Sequence, residues 1–422
     1  MKVILISIGT RGDMEPFLAI GDILIEKGHK VICAFPEQFR SLVKDSSEME
    51  FASLGTKFIE LLESDAGKEA LGGSGSGLRK FWAYIKLAGK QTEVNKELVQ
   101  KQKELIESQN PDRIVYNGKA SYPIIWELDH RGKTILISPV PFLHYVKNHT
   151  HVAFNGNFGP FLNKLTYAVA DFGLITTVKI SAKWAKTKRK INRKKIKKVI
   201  RSNKVIYTIS PSLFSRPDYW EHNRKVLGYL KPHKETSWQP PQGLADFLER
   251  HKNQKILFVT FGSMTNPAPE SKTKIITDIL ERNHIPAIIN TAAGGLIEPE
   301  KYDSQLLHFV SQIPYDWILP KIYGVIHHGG AGTTHLALKY GRPTLIIPHI
   351  IDQFIWNRII YKKGAGPKGI KINKITTKNL EPKILELMNN RFYKDNAEQI
   401  SSQMQKENFI KELYESINLT YS

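Results

Sequence analysis

Short apolar runs alternate with amphipathic stretches along most of the chain. Val3–Ile8 is a continuous apolar run, the pattern of a strand buried on both faces. Glu15–Lys27 then sets Phe17, Ile20 and Leu24 at helical spacing, with Pro16 in the first turn, and Gly28 and His29 end it. Val31–Phe35 reads as the next strand, Phe39–Val43 as the start of a helix and Phe51–Leu54 as a short strand. A helix over Phe81–Ile106 and strands at Arg113–Tyr116, Thr134–Ile137 and Val205–Ser210 continue the rhythm. The second half repeats it. Strands are expected at Lys255–Phe261, Ala287–Asn290 and Leu306–Val310, and helices at Ser271–Arg282 and Asp352–Lys363. Two more helices are expected near 377–390 and 393–416. Strand–helix alternation of this kind predicts an α/β fold: two doubly wound Rossmann-like domains. Their ligand loops, at the carboxyl ends of the strands, are expected to face a central crevice.

Three stretches break the rhythm. Residues 64–77 include the glycine–serine run Gly72–Gly77, a flexible loop by composition, either a lid or a plain connection. Pro139–Pro160 is loop-like and holds Phe142, His144, Tyr145, His149, His151, Phe154 and Phe158, which suits the lining of an apolar pocket or a flap folded into the core. Tyr229–Gln242, with Pro232, Pro240 and Pro241, reads as a linker. The expected organisation is a domain over 1–228, a linker over 229–242, a domain over 243–400, and a C-terminal helix in 401–422 that packs back on the first domain.

A length of 422 residues supports the two-domain reading. The single cysteine, Cys33, rules out a disulfide framework and fits a reducing compartment, so a cytoplasmic location is expected. Met1–Lys2 runs straight into the first strand with no cleavage-like segment, and no apolar run approaches the roughly 18 residues of a spanning helix. The net charge of +21 is concentrated: Lys183–Lys204 carries 12 Lys or Arg, and no acid occurs from Phe172 to Pro217. Over 180–203 the residues Trp184, Ile191, Ile196, Val199 and Ile200 share one side of a helix otherwise covered by cations. That is the pattern of a helix lying on anionic lipid at the inner face of a membrane, and equally of a solvated helix docked by those residues. No nucleic-acid reader motif accompanies the charge, so nucleic acid is not an expected partner.

The candidate chemistry centres on YGVIHHGGAGTTHLALKYGRPTLIIPHIIDQ, Tyr323–Gln353: strand, glycine-rich loop, helix, strand. A helix start with small residues and free N–H groups is a ready anion site. His328, Gly330, Gly332, Thr333 and Thr334 suit a cradle for a diphosphate, or an ordinary strand-to-helix turn that needs glycines to close, and Ser263 follows a neighbouring strand. Asp352 and Gln353 pair a carboxylate with an amide, a combination suited to sugar hydroxyls or to a helix N-cap. Gly9–Asp13 lacks the G-x-G-x-x-G spacing of a dinucleotide loop. Its Asp13 fits two roles, a helix-capping carboxylate or a general base reaching a hydroxyl. No D-x-D and no Cys/His ligand spacing occurs, so no metal and no cofactor is expected, and preorganised donors alone would carry the charge of a leaving diphosphate.

These residues carry a resemblance. GTRGDMEPFLAIGDILIEKGHKVICA, the pair WQPPQGLADFL and ILFVTFGSM, and IPYDWILPKIYGVIHHGGAGTTHLALKYGRPTLIIPHIIDQFIWNRI together resemble the family-1 glycosyltransferases of the GT-B fold, in particular the bacterial antibiotic and sterol glucosyltransferase branch. The resemblance implies inverting transfer of a hexose, usually from UDP-glucose, to a hydroxyl of a lipophilic acceptor. The first domain would bind acceptor and the second the nucleotide sugar. Asp13 falls where the family keeps its catalytic base. Ser263, His328, Thr333 and Thr334 fall on diphosphate contacts, Asp352 and Gln353 on sugar hydroxyls, and Ile313 at the base-binding loop. Departures from plant members are Gln312 and Tyr315 in place of a stacking Trp and a Gln, Leu336 in place of a ribose-binding Glu, and Asn117 in place of an Asp partner to the base. UDP and TDP therefore both stay open. So do two other readings of the residues: a nucleotide-sugar epimerase or hydrolase, and a basic binding protein without enzymatic activity.

Overall fold

The computed structural model describes residues 1–44, 48–64, 77–187, 191–232, 238–266, 268–292 and 294–418; residues 44, 62, 63 and 77–90 are described by their backbone alone. The glycine–serine run expected to form a loop lies almost wholly outside the described residues, as do parts of the linker and of the basic segment.

The chain divides into two compact units, one of Met1–Ala66, Phe81–His233 and Asn408–Ser422, the other including Lys234–Glu407. In the first unit, strands β1 (Lys2–Ile6), β2 (Lys30–Phe35), β3 (Glu50–Ser53), β4 (Arg113–Asn117), β5 (Thr134–Ser138), β6 (Lys204–Tyr207) and β7 (Arg224–Val226) form a parallel sheet in the order β3-β2-β1-β4-β5-β6-β7. Helices α1 (Arg11–Glu26), α2 (Arg40–Lys44), α3 (Lys57–Glu63), α4 (Gly77–Gln109), α5 (Tyr122–Glu127), α6 (Pro160–Trp184) and α7 (Arg193–Ser202) connect them. The continuous apolar runs follow from burial on both faces. Ile4, Ile6 and Ile114 enter one core, and Val3, Leu5 and Val115, one residue out of phase, enter the other.

The second unit contains helices α8 (Gln242–Arg250), α9 (Pro269–Arg282), α10 (Tyr315–Ile318), α11 (Ala331–Lys339), α12 (Gln353–Lys362), α13 (Thr377–Asn389) and α14 (Arg391–Met404). Its parallel sheet, β8 (Leu257–Thr260), β9 (Ala287–Asn290), β10 (Leu307–Val310), β11 (Gly324–His327) and β12 (Thr344–Ile346), runs β10-β9-β8-β11-β12. In each sheet the winding direction reverses once, between β1 and β4 and between β8 and β11. Ligand loops of doubly wound sheets gather at the carboxyl ends of the strands flanking such a reversal.

A last helix, α15 (Ile410–Asn418), belongs to the first unit. Leu413 and Ile417 are buried in its core, and Glu412 pairs with Lys225 at 3.0 Å. The carbonyls of its final turn, which lack intrahelical donors, are capped by cations. Arg113 donates to Ile417 and Asn418 at 3.2 and 3.1 Å, and Lys204 donates to Ser416 at 3.2 Å.

Several expectations need correction. The basic segment is not one helix over 180–203: α6 ends at Trp184, Lys186 takes a positive φ of 49°, and α7 begins at Arg193. Of the two readings of its apolar residues, the docked one holds. Ile196 and Val199 are buried in the first unit's core, with Trp184, Ile191 and Ile200 packed against it, so α7 presents Lys and Arg, with Ser202 at its end, to solvent. The helix once expected over 393–416 is divided by a turn at 405–409 into α14 and α15. The long helix α6 and the strand β7 were not anticipated. Of the two readings of Pro139–Pro160, the structure favours the flap. Phe142 and His149 stack at 4.4 Å between ring centroids, and Phe142 meets Phe214 edge-on at 5.6 Å beside Tyr207 and Trp220.

Candidate active site

In the first unit the loop after β1 folds back over the start of α1. Asp13 is the third residue of that helix, and Thr10 is its N-cap. The Thr10 N–H donates to Asp13 Oδ2 at 2.8 Å, so the carboxylate does cap the helix, from inside the first turn. Lys119, two residues beyond β4, brings its ammonium 3.0 Å from both Oδ1 and Oδ2. A carboxylate offers about four lone-pair sites; Oδ1 meets Lys119 alone, while Oδ2 meets Lys119, the Thr10 N–H and, at 3.4 Å, the Thr10 hydroxyl. Oδ1 keeps a site for an incoming hydroxyl. Gly9 makes this closeness possible: at φ 141° it lies so near that a Cβ there would overlap the Asp13 carboxylate and stand 2.5 Å from Lys119 Nζ. Asn117, the residue compared above with the family's Asp, turns elsewhere. Its amide donates to Ser7 Oγ at 3.0 Å and the Ile8 carbonyl at 2.8 Å.

In the second unit the loops after β8, β11 and β12 adjoin, because those strands are neighbours. His328 leaves β11 and its buried ring lies between Gly262 and Gly330. A Cβ on Gly262 would stand 3.0 Å from its Cε1, and one on Gly330 would overlap its Nε2. Burial holds its pKa well below 6.5, reinforced by His327 and His349, so the imidazole is neutral and offers a hydrogen bond rather than a charge. Its Nδ1 is buried without a hydrogen-bond partner among the described residues. Gly330 is the N-cap of α11, which leaves the N–H groups of Ala331, Gly332 and Thr333 pointing out of the first turn. Thr334 is buried, and its one hydroxyl proton goes to the Gly330 carbonyl at 2.8 Å, so it stiffens the cradle rather than reaching into it. Thr333 is half-buried and Ser263 is exposed in the loop after β8.

Asp352 is the N-cap of α12 and Gln353 its first residue. The Gln353 carboxamide oxygen accepts from the N–H groups of His349 at 2.7 Å and Ile350 at 3.1 Å. Both lone pairs are thereby used, and only the NH₂ end remains to meet a hydroxyl. Its Cβ lies beside Gly329: a Cβ on that glycine would stand 3.2 Å away, so the diphosphate loop and the Asp352–Gln353 turn touch. Ile351, just before this pair, is exposed and holds a φ of 24°, a strained conformation for a β-branched residue. Ile313 is buried at the end of the loop after β10, two strands away from β8. From the start of α10 the Tyr315 hydroxyl reaches back to Thr260 Oγ1 at 2.8 Å.

Sequence reasoning missed Lys119 and His349. The signal for Lys119 is topological: once β4 is placed beside β1, whatever follows β4 must meet the loop that follows β1.

Two strand-end sites on two parallel α/β units define a class, and the comparisons agree with it. The profile described as the glycosyltransferase family 28 N-terminal domain matches residues 3–136, and the erythromycin biosynthesis protein CIII-like C-terminal domain matches residues 305–418. The chain has the GT-B fold, and at both ends it is similar to glycosyltransferases. Among its relatives are a sterol 3-beta-glucosyltransferase of Arabidopsis thaliana, 29% identical over 91% of this chain and 62% of that protein, and one of Komagataella phaffii, 27% identical over 96% of this chain and 33% of that protein. The chain thus spans about three-fifths and one-third of the lengths of these relatives. In fold it matches the glycosyltransferase SnogD from Streptomyces nogalater, with a TM-score of 0.65 at 15% identity over all of both chains. It also matches the glycosyltransferase VinC in complex with DTDP, at 0.64 and 14% over 99% of each.

Proposed function

We propose that the chain transfers a hexose from a nucleoside diphosphate sugar, UDP-glucose in the first instance, to a hydroxyl of a lipophilic acceptor such as a sterol, with inversion at the anomeric carbon. The observation that carries this reading is the neutral, buried His328 beside the open N–H groups of α11, a cradle that can hold a diphosphate without binding a proton of its own. Asp13 takes the acceptor proton as the acceptor oxygen forms its bond to the anomeric carbon. The bond from that carbon to the diphosphate oxygen breaks, and the leaving charge is met by His328, Thr333, Ser263 and the α11 N–H groups, with no metal required. The Asp352 carboxylate and the Gln353 NH₂ hold sugar hydroxyls. Ile313 and its loop face the nucleotide base, where DTDP is the competing donor type. The sterol 3-beta-glucosyltransferase relatives support the acceptor class.

The test is a screen of UDP- and TDP-sugars against sterols, glycolipids, carotenoids and phenols, with products read by mass spectrometry and anomeric configuration by NMR. A β-glycoside from an α-linked donor is expected. Absence of any product would overturn the reading. Donor conversion at full rate with acceptor omitted would replace it by an epimerase or hydrolase.

A further inference from the structure

Helix α6 is amphipathic the wrong way round. Its buried side carries Asn163, Thr166 and Ser181 among Tyr167, Ile175, Val178 and Ala182. Its outer side carries Phe161, Leu162, Leu165, Val169, Phe172 and Ile180, all exposed. At ~100° of rotation per residue these six fall within an arc of about 100°. Phe161 is 81% and Phe172 57% exposed, so the face is open rather than shallowly covered.

The buried polar groups explain why the helix sits this way. Asn163 accepts from the Phe158 N–H at 2.9 Å and donates to Asn157 Oδ1 at 2.8 Å. Thr166 Oγ1 accepts from the His151 N–H at 2.9 Å, and Ser121 donates to Ser181 at 2.9 Å. These bonds pin the rotation of α6 and turn its apolar arc out. Exposing six large side chains in one stripe has a stability and solubility cost that a freestanding surface does not repay, and patches of this kind mark interaction sites.

The surroundings specify the partner. Lys179 and Lys183 continue the same arc at its C-terminal end, both exposed. Helix α7 packs against α6 and places Arg193 over the Phe172 ring, 4.6 Å from its centroid. Beyond it Lys194, Lys197, Lys198 and Arg201 line one open depression, with Glu221 across it and Asp171 near Lys197 and Arg201 as the neighbouring acids. Because Ile196 and Val199 are spent in the core, α7 supplies charge and α6 supplies apolar area.

We propose that the exposed face of α6 docks into an anionic lipid bilayer, with the cations of α7 and the end of α6 at the headgroups. An apolar stripe flanked by Lys and Arg is the chemistry of interfacial binding. A second copy of the chain fits less well, since pairing two α6 faces would draw two α7 clusters together in a protein of net charge +21. The proposal does not rest on the transfer reaction: lipid binding is read whether or not a sugar moves.

The experiment is flotation of the full chain with vesicles of phosphatidylcholine, alone or mixed with phosphatidylglycerol, together with sedimentation equilibrium without lipid. Wild type is expected to float with the anionic vesicles, to lose that binding at high salt, and to sediment as a monomer. Phe161→Glu/Leu165→Glu is expected to lose binding while keeping its thermal midpoint, because both side chains are solvent-facing. Lys194→Ala/Lys197→Ala/Lys198→Ala is expected to weaken binding to anionic vesicles by ~5-fold per charge removed. Failure of wild type to float overturns the proposal, and so does flotation of the double variant like wild type. A wild-type dimer that the double variant converts to monomer, without lipid binding, assigns the face to a second copy instead.

Discussion

The ammonium of Lys119 stands 3.0 Å from both carboxylate oxygens of Asp13. An exposed ion pair of this kind adds at most about 1 kcal/mol of stability, so its importance lies in fixing the direction of the carboxylate. Asp13→Asn is expected to lower kcat by ~10²–10⁴, the usual worth of a general base. Lys119→Met is expected to lower kcat by about tenfold with the donor KM unchanged, as loss of a positioning contact does. Steady-state kinetics with one donor and one acceptor decides both. Full activity in Asp13→Asn removes the base assignment.

Ile351 bears a positive φ at a site where its side chain is 56% exposed and gains little from packing. Glycine adopts that conformation without strain. Ile351→Gly is expected to stabilise the protein by about 1 kcal/mol, seen as a raised thermal midpoint. An unchanged or lowered midpoint would mean that the strain is relieved by contacts Ile351 makes, and the argument fails.

Buried histidines set an acid limit. Burial pushes His327 down to about 3 and His335 and His349 down to about 4. In the unfolded chain each returns to about 6.5. Between those values the unfolded state binds more protons, so stability is complete above about pH 6.5 and falls as pH drops toward 4. The slope is at most about 1.4 kcal/mol per pH unit for each histidine. Urea unfolding at a series of pH values measures it. His335→Phe, which keeps an aromatic ring against Trp356, should flatten the curve by one histidine's share, and an unaltered slope contradicts the assignment.

Leu413 is fully buried and lies far along the chain from the sheet it completes. Leu413→Ala is expected to cost about 2–5 kcal/mol. The loss should register in a probe of the first unit, such as exchange of amides in β1 and β4. Unchanged exchange there would show that α15 is dispensable to that core.

The sheets were legible because burial on both faces leaves continuous apolar runs; Val3–Ile8 and Ile256–Phe261 could hardly be anything else. The diphosphate loop was legible because glycines, a histidine and threonines occur together at one helix start. Helix α6 was not, because sequence patterning assumes apolar residues inside, and here Asn163, Thr166 and Ser181 face the core while Phe161 and Phe172 face out. The basic segment left two readings open, and only packing decides between them: Ile196 and Val199 serve the core, so the charge there marks a solvated face. Lys119 bears no local mark at all. Its role exists only once β4 lies beside β1. Thr334 shows a finer limit, since residue type suggested a ligand contact and only geometry reveals that its proton stays within the helix.

The position of α15 has a consequence for how the protein is made. Leu413, Ile417 and the carbonyls held by Arg113 and Lys204 close the first unit's core with residues that a ribosome adds only after Lys234–Glu407 of the second unit. During synthesis the earlier strands emerge with one wall missing and wait while Lys234–Glu407 of the second unit is translated. The first unit's core cannot close until the second unit has been made.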